Sequence, residues 1–154
     1  MFGRIEGPLL NQGDVCSDII DSLPEWFGIP EANAQYRLDI DALPTFVALD
    51  ENHTVGFVSV KLNNVYTAEV YLMGVLPDYQ HQGIGRALMI QLEAYLRRSH
   101  VEYIQVKTIG PSNPDPYYEE TRAFYQAVGF RPLEEFKTLW NEANPCLILI
   151  KALR

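Results

Sequence analysis

The apolar pattern of this chain changes period at Pro77, and few folds accommodate both halves. From Thr45 to Leu76 it has the period of strands: Val55, Phe57 and Ser59 alternate with Gly56, Val58 and Val60, while Glu51-Asn52-His53 and Asn63-Asn64 mark turns. A period of two puts successive side chains on opposite faces of a sheet. Connections this short join antiparallel neighbours, because a parallel crossover takes a dozen residues or more. The expectation is a meander of Thr45–Asp50, Thr54–Leu62 and Val65–Leu76. Beyond Pro77, Ile84, Leu88, Leu92 and Tyr95-Leu96 recur at helical spacing and the run ends in Arg97-Arg98, cations suited to a helix C-terminus. A strand at Val101–Ile109 and a loop from Gly110 to Pro116 lead to a second helix. Tyr117, Thr121, Phe124, Tyr125 and Val128 stripe that helix, and Gly129 is its natural stop. Phe130–Lys137 and Cys146–Ala152 form a closing pair of strands. Ahead of the meander, Phe2–Glu6 suits a short edge strand. A helix capped by Asp14 carries Val15, Ile19, Ile20 and Leu23 as far as Pro24, and another begins at Pro30.

With 154 residues, 47% of them hydrophobic, such a chain buries roughly 70% of the surface it exposes when unfolded, so one domain over residues 1–154 holds itself together without staples. Cys16 and Cys146 match neither a zinc nor a CxxC spacing, so no metal is expected, and two lone thiols fit a reducing, cytoplasmic setting. Met1-Phe2-Gly3-Arg4-Ile5 has no apolar run behind it, and the longest apolar runs, Val70–Leu76 and Cys146–Ile150, are strand-sized. Neither a signal peptide nor a membrane partner is expected. Residues 1–77 carry 11 Asp/Glu against three Lys/Arg, whereas residues 78–154 carry nine of each. The first half therefore holds the entire net charge of −8. Nucleic acid, which needs a basic face, is not an expected partner.

The segment Val75-Leu76-Pro77-Asp78-Tyr79-Gln80-His81-Gln82-Gly83-Ile84-Gly85-Arg86 carries the most chemistry. A buried strand enters a short loop, and two glycines open a helix. Without Cβ atoms, Gly83 and Gly85 let a ligand approach the main chain, where free N–H groups gather at the positive end of the helix dipole. That arrangement suits a diphosphate. Arg86 in the first turn disfavours the helix unless an anion arrives beside it. The segment is neither a GxxxxGK[ST] loop nor a dinucleotide-binding GxGxxG, since Leu88 takes the last glycine's place and antiparallel strands precede it.

Gln80-His81-Gln82-Gly83-Ile84-Gly85 resembles the Q/R-x-x-G-x-G/A signature of the GNAT superfamily of N-acetyltransferases. Thr121-Arg122-Ala123-Phe124-Tyr125-Gln126-Ala127-Val128-Gly129-Phe130 is similar to that family's second signature, a helix with a tyrosine four residues before Gly-Phe. The element order β-α-α-β-β-β-α-β-α-β-β fits the family over the whole chain. The resemblance implies an α/β (α+β) fold with a mixed, mainly antiparallel central sheet flanked by helices, and acetyl-CoA as donor. It places the diphosphate on main-chain amides around Gln80, Gln82, Gly83, Ile84, Gly85 and Arg86. Pantetheine would lie along Met73 and Val75, with the Val75 N–H facing the thioester carbonyl and Asn113 as a further cofactor contact. It also implies a bulge in the fourth strand, Glu69 as general base and Tyr125 near the departing sulfur.

Freeing the lone pair of an amine with a lysine-like pKa of about 10.4 costs roughly 4–5 kcal/mol at pH 7, so a base is the group most needed. Besides Glu69, Asp78, Glu25 and His81 are candidates. The acidic first half, with Trp26 and Phe27 between Pro24 and Pro30, suits a small cationic amine or a lysine side chain held between aromatic faces and carboxylates such as Glu25, Glu31, Asp39 and Asp41, although the two rings equally suit core plugs under the loop. Nothing demands a covalent intermediate, so direct attack in a ternary complex is expected. The alternative is a catalytically silent acyl-CoA-binding sensor or interaction module. Edge strands at the ends of the sheet suit a homodimer, and Cys146–Ile150 suits either such an edge or burial within the domain.

Overall fold

Both halves of the pattern meet in one seven-stranded sheet in the computed structural model, which describes residues 3–154. Phe2, where the first strand is expected to begin, lies outside the described residues. The strands are β1 (Arg4–Leu9), β2 (Thr45–Asp50), β3 (His53–Leu62), β4 (Thr67–Val75), β5 (Tyr103–Ile109), β6 (Arg131–Asn141) and β7 (Asn144–Ala152). Their spatial order is β1-β2-β3-β4-β5-β7-β6. Every neighbouring pair is antiparallel except β4 with β5. The helices are α1 (Gly13–Asp21), α2 (Pro30–Asp41), α3 (Ile84–Arg98) and α4 (Pro116–Ala127), with a 3-10 turn over Pro77–Tyr79. The expected element order and mixed sheet are those observed.

The two faces of the sheet have separate cores. Cys16, Ile19, Ile20 and Leu23 of α1 and its end join Ile40 of α2 against Val47, Leu49 and Phe57. On the other face, Ile84, Leu88, Met89, Leu92 and Leu96 of α3 and Tyr125 of α4 cover Phe46, Val58, Val60, Ala68, Val70, Ile104 and Leu149. The helical stripe and the strand alternation thus find each other, as amphipathic elements must.

Some details depart from the sequence expectation. Asp14 does not cap α1: the cap position is Gln12, and Asp14 lies in the first turn with its carboxylate 2.6 Å from the Arg37 guanidinium. Strand β6 runs on to Asn141. Cys146–Ile150 is not an edge, because β7 inserts between β5 and β6 and leaves β6 outermost. Among the described residues, no helix is long and apolar enough to cross a membrane.

The feature that makes a site is the single parallel pair. Strands β4 and β5 pair from Thr67–Tyr103 only as far as Val70–Val106. Past that point the ladder stops, and Tyr71–Val75 and Lys107–Ile109 border a cleft.

Candidate active site

A bulge in β4 sets the directions of the side chains along this cleft. Ser59 pairs with Leu72 and Val60 with Val70, so Tyr71 is an extra residue. A bulge of this kind shifts the strand's phase. Tyr71 and Leu72 consequently both face the α1/α2 side, and Met73 and Val75 turn to the α3/α4 side. Gly74 returns to the first face, against Phe57, Leu23 and Ile19. The Leu76 N–H donates to the Val55 carbonyl at 2.9 Å. By strand alternation, the main-chain groups of Val75 and Met73 therefore point to the opposite edge, into the cleft. The Gln80 side-chain amide reaches the Val75 carbonyl there at 3.1 Å and ties the loop to the strand end.

The N-terminus of α3 closes one end of the cleft. Helices α1, α2 and α4 each have an acidic residue in the first turn (Asp14, Glu31 and Glu119), and Asp115 also caps α4. Helix α3 has neither an acidic first turn nor a side-chain cap. Its positive pole is uncompensated among the described residues, and Arg86 adds to it. Gly83 stands at φ 85°, with nothing within 4 Å of where a Cβ would be. The main chain is thus open to a ligand at Gly83. At Gly85 the missing Cβ serves packing instead: a methyl there would lie 2.9 Å from the Phe124 ring. Gln82 donates to the Asp78 carbonyl at 3.0 Å, and exposed His81 lies 3.2 Å from Glu120 on α4.

Tyr125 is buried between Phe124 and Phe130, and its hydroxyl has the Met73 sulfur as partner at 3.9 Å. Burial holds the phenol above its usual range, so it is a donor and stays protonated. Glu69 is 6% exposed on the opposite face. Its Oε1 accepts from Gln105 at 2.9 Å and Asn63 at 3.2 Å, with the Lys107 ammonium at 3.7 Å. Asn113 is a turn residue, accepting from the Asp115 N–H at 3.1 Å.

The aromatic loop is bolted across the structure. The Trp26 indole N–H donates to the Thr121 hydroxyl at 2.9 Å, and the Tyr118 hydroxyl donates to the Trp26 carbonyl at 2.7 Å. Trp26 therefore ties the α1–α2 connection to α4. Phe27 instead begins an edge-to-face row with Tyr36 and Tyr71, each centroid 6.1 Å from the next. Glu25 and Glu31 are exposed, and Asp41 accepts from the Gly13 N–H at 2.8 Å, serving α1 and not the cleft. Asp39 accepts the Tyr71 hydroxyl. Tyr36, packed on Tyr71, and Gln105 and Lys107, both on Glu69 Oε1, are residues that the sequence motifs do not single out. The available signal is that Tyr71 follows Glu69 by two and Lys107 follows Gln105 by two, each pair on one strand face. The structure brings Met73, Val75, Gln80, Gly83 and Tyr125 to one cleft. Among the described residues there is no cluster of potential metal ligands.

A model of the acetyltransferase (GNAT) family matches residues 14–130, three quarters of the chain. The chain belongs to the GNAT acetyltransferase family. An uncharacterized N-acetyltransferase of Chlorobaculum tepidum is 24% identical over 104 residues, 66% of this GNAT chain and 60% of that protein. The chain thus spans less than two thirds of that curated relative. A GNAT-family acetyltransferase structure from Desulfovibrio desulfuricans superposes with a TM-score of 0.85 at 18% identity, covering 98% of this chain and 99% of the other. A GNAT acetyltransferase from Elizabethkingia anophelis with acetyl-CoA bound superposes with a TM-score of 0.70 at 17% identity, over 97% of both chains. At these identities the likeness is one of fold, and it agrees with the layout derived above.

Proposed function

We propose that this GNAT chain is an acetyl-CoA-dependent N-acetyltransferase that passes the acetyl group directly to a primary amine in a ternary complex. The observation that carries the reading is the uncompensated N-terminus of α3 behind open, left-handed Gly83, placed where β4 leaves its ladder. The residues present fit the donor. Amides at Gly83, Ile84, Gly85 and Arg86 would hold its diphosphate. Main-chain groups of Met73 and Val75 would pair with the pantetheine amides, and the loop is stiffened by Gln80 and Gln82. Asn113, already bonded in its turn, would add at most a distal contact.

When bound, acetyl-CoA supplies the thioester carbonyl that the amine attacks. The Val75 N–H, aimed into the cleft, would stabilise negative charge developing on that oxygen. Glu69 would take the amine proton, directly or through water. Tyr125 would hydrogen-bond the departing sulfur. Its raised pKa makes complete proton transfer to a thiolate more uphill than the roughly 2 kcal/mol separating an ordinary phenol from an ordinary thiol. Both cysteines are buried, and burial pushes the Cys16 thiol up to about 12. Neither is an available nucleophile, which supports direct transfer. The acceptor groove, with Asp39 and Glu69 beside Phe27, Tyr36 and Tyr71, favours a cationic amine.

The test is thiol release from acetyl-CoA across a panel of primary amines, with calorimetry of acetyl-CoA in parallel. Amine-dependent release with micromolar to millimolar donor binding is expected. Donor binding without release for any amine would instead make the protein an acyl-CoA sensor. No donor binding at all would overturn both.

A further inference from the structure

Glu69 and Tyr71 stand two residues apart on β4 and face the same groove, yet neither is fully engaged by the protein. All three partners of Glu69 converge on Oε1. Its Oε2 has no partner among the described residues, and it is not one of the sealed atoms, since the Asn33 Oδ1 is the buried side-chain oxygen left unpaired there. A buried carboxylate side chain, 8% exposed, with one bare oxygen outside the sealed interior is costly without a ligand. Tyr71 is projected here by the bulge, and its hydroxyl proton is committed to Asp39, whose other oxygen is fixed by the Gln35 amide at 2.8 Å. With the proton turned toward α2, the lone pairs of the phenol oxygen are left as acceptors. The charges sum simply: Asp39 and Glu69 against Lys107 leave one negative charge, while Arg37 on the same helix is taken by Asp14.

We propose that Tyr71 Oη and Glu69 Oε2 together grip the ammonium group of the acceptor, with Asp39 as a positioning residue that keeps Tyr71 an acceptor. A single primary ammonium completes this site. A neutral hydroxyl of the same shape offers too few donors and leaves the charge unmatched. The inference rests on the transferase reading for what happens next, but binding can be tested apart from turnover.

The full chain labelled with 13Cζ-tyrosine is titrated with n-butylammonium and, separately, n-butanol at constant ionic strength. The Tyr71 resonance is assigned by its loss in Tyr71→Phe. The expected result is a saturable Tyr71 shift with n-butylammonium and none with n-butanol. Asp39→Asn, which keeps shape and removes charge, should weaken that binding about tenfold, as for a hydrogen bond to a charged group. No Tyr71 shift, an equal shift with n-butanol, or undiminished affinity in Asp39→Asn would overturn the proposal. If Asp39→Asn does not fold, the ammonium-against-alcohol comparison in the unmutated protein decides alone. Failure of acetyl-CoA to bind in calorimetry would sink the transferase reading and leave this result standing.

Discussion

The Tyr125 hydroxyl faces the Met73 sulfur at 3.9 Å across the cleft, a pairing that exists because the bulge at Tyr71 turned Met73 to the α3/α4 side. A thioether is a weak acceptor, so little folding energy rides on this hydroxyl. Tyr125→Phe is therefore expected to leave stability within about 1 kcal/mol of the parent, read from the denaturation midpoint. Turnover should fall about 10- to 100-fold, with donor affinity unchanged, if the hydroxyl serves the leaving sulfur. Unchanged kcat under conditions where chemistry limits would remove Tyr125 from the mechanism.

The two glycines at the head of α3 separate packing from binding. Gly83→Ala meets no atom but must hold φ 85°, a strain of about 1–2 kcal/mol for a residue with a Cβ. Its methyl would stand where the diphosphate approaches, so acetyl-CoA affinity should drop by about tenfold or more. Gly85→Ala drives a methyl to 2.9 Å from the Phe124 ring. Overpacking of this kind costs about 1–3 kcal/mol and should register first in thermal stability. Calorimetry and thermal melts on both variants check the pair, and the reverse ranking would contradict this division of roles.

The sequence made the elements legible because their punctuation is local. Pro24, Pro30, Pro77 and Gly129 act on their own dihedrals, and the change of period at Pro77 sets sheet apart from helix. The bulge was legible only through family resemblance, and its position and consequences were not. Alternation in Glu69–Val75 does not reveal which residue is extra; pairing with Val60 and Ser59 decides it. Trp26 shows the same limit. An aromatic between prolines looks free to meet a ligand, yet its N–H partner, Thr121, lies 95 residues away. The insertion of β7 inside β6 is likewise a long-range outcome, since each of those strands has its own apolar pattern and neither specifies a neighbour.

Glu69→Gln should separate base catalysis from architecture through its pH profile. The amide keeps one acceptor oxygen for Asn63 and Gln105 and loses the capacity to take a proton. At pH 7 the loss in kcat/KM for an alkylamine should be on the order of 10²–10⁴, the usual contribution of a positioned base. Raising the pH toward the amine's own pKa, about 10.4 for a lysine-like acceptor, supplies the free base from solution, so the gap should narrow. Burial keeps Tyr71 and Tyr125 protonated through that range. A deficit that stays constant with pH would assign Glu69 to binding alone.

Glu135 offers a pH test away from the chemistry. The Ser112 hydroxyl, at 2.6 Å, and the Ser112 N–H, at 2.9 Å, both donate to its carboxylate and hold that group below the ordinary carboxyl range. These bonds fasten the β5–α4 loop to β6, and the carboxylate sits where a Gly110 Cβ would stand. A folded-state pKa depressed below its unfolded value contributes stability above the unfolded value of about 4.3, and that contribution is lost as pH falls through the lower, folded one. Melting temperature measured from pH 6 downward should therefore decline less steeply in Glu135→Gln than in the parent, with the two curves converging once Glu135 is protonated. Parallel curves across the whole range would show that Ser112 does not distinguish the charged carboxylate, and the loop would have to be held by its turn at Asn113 and the cap at Asp115 alone.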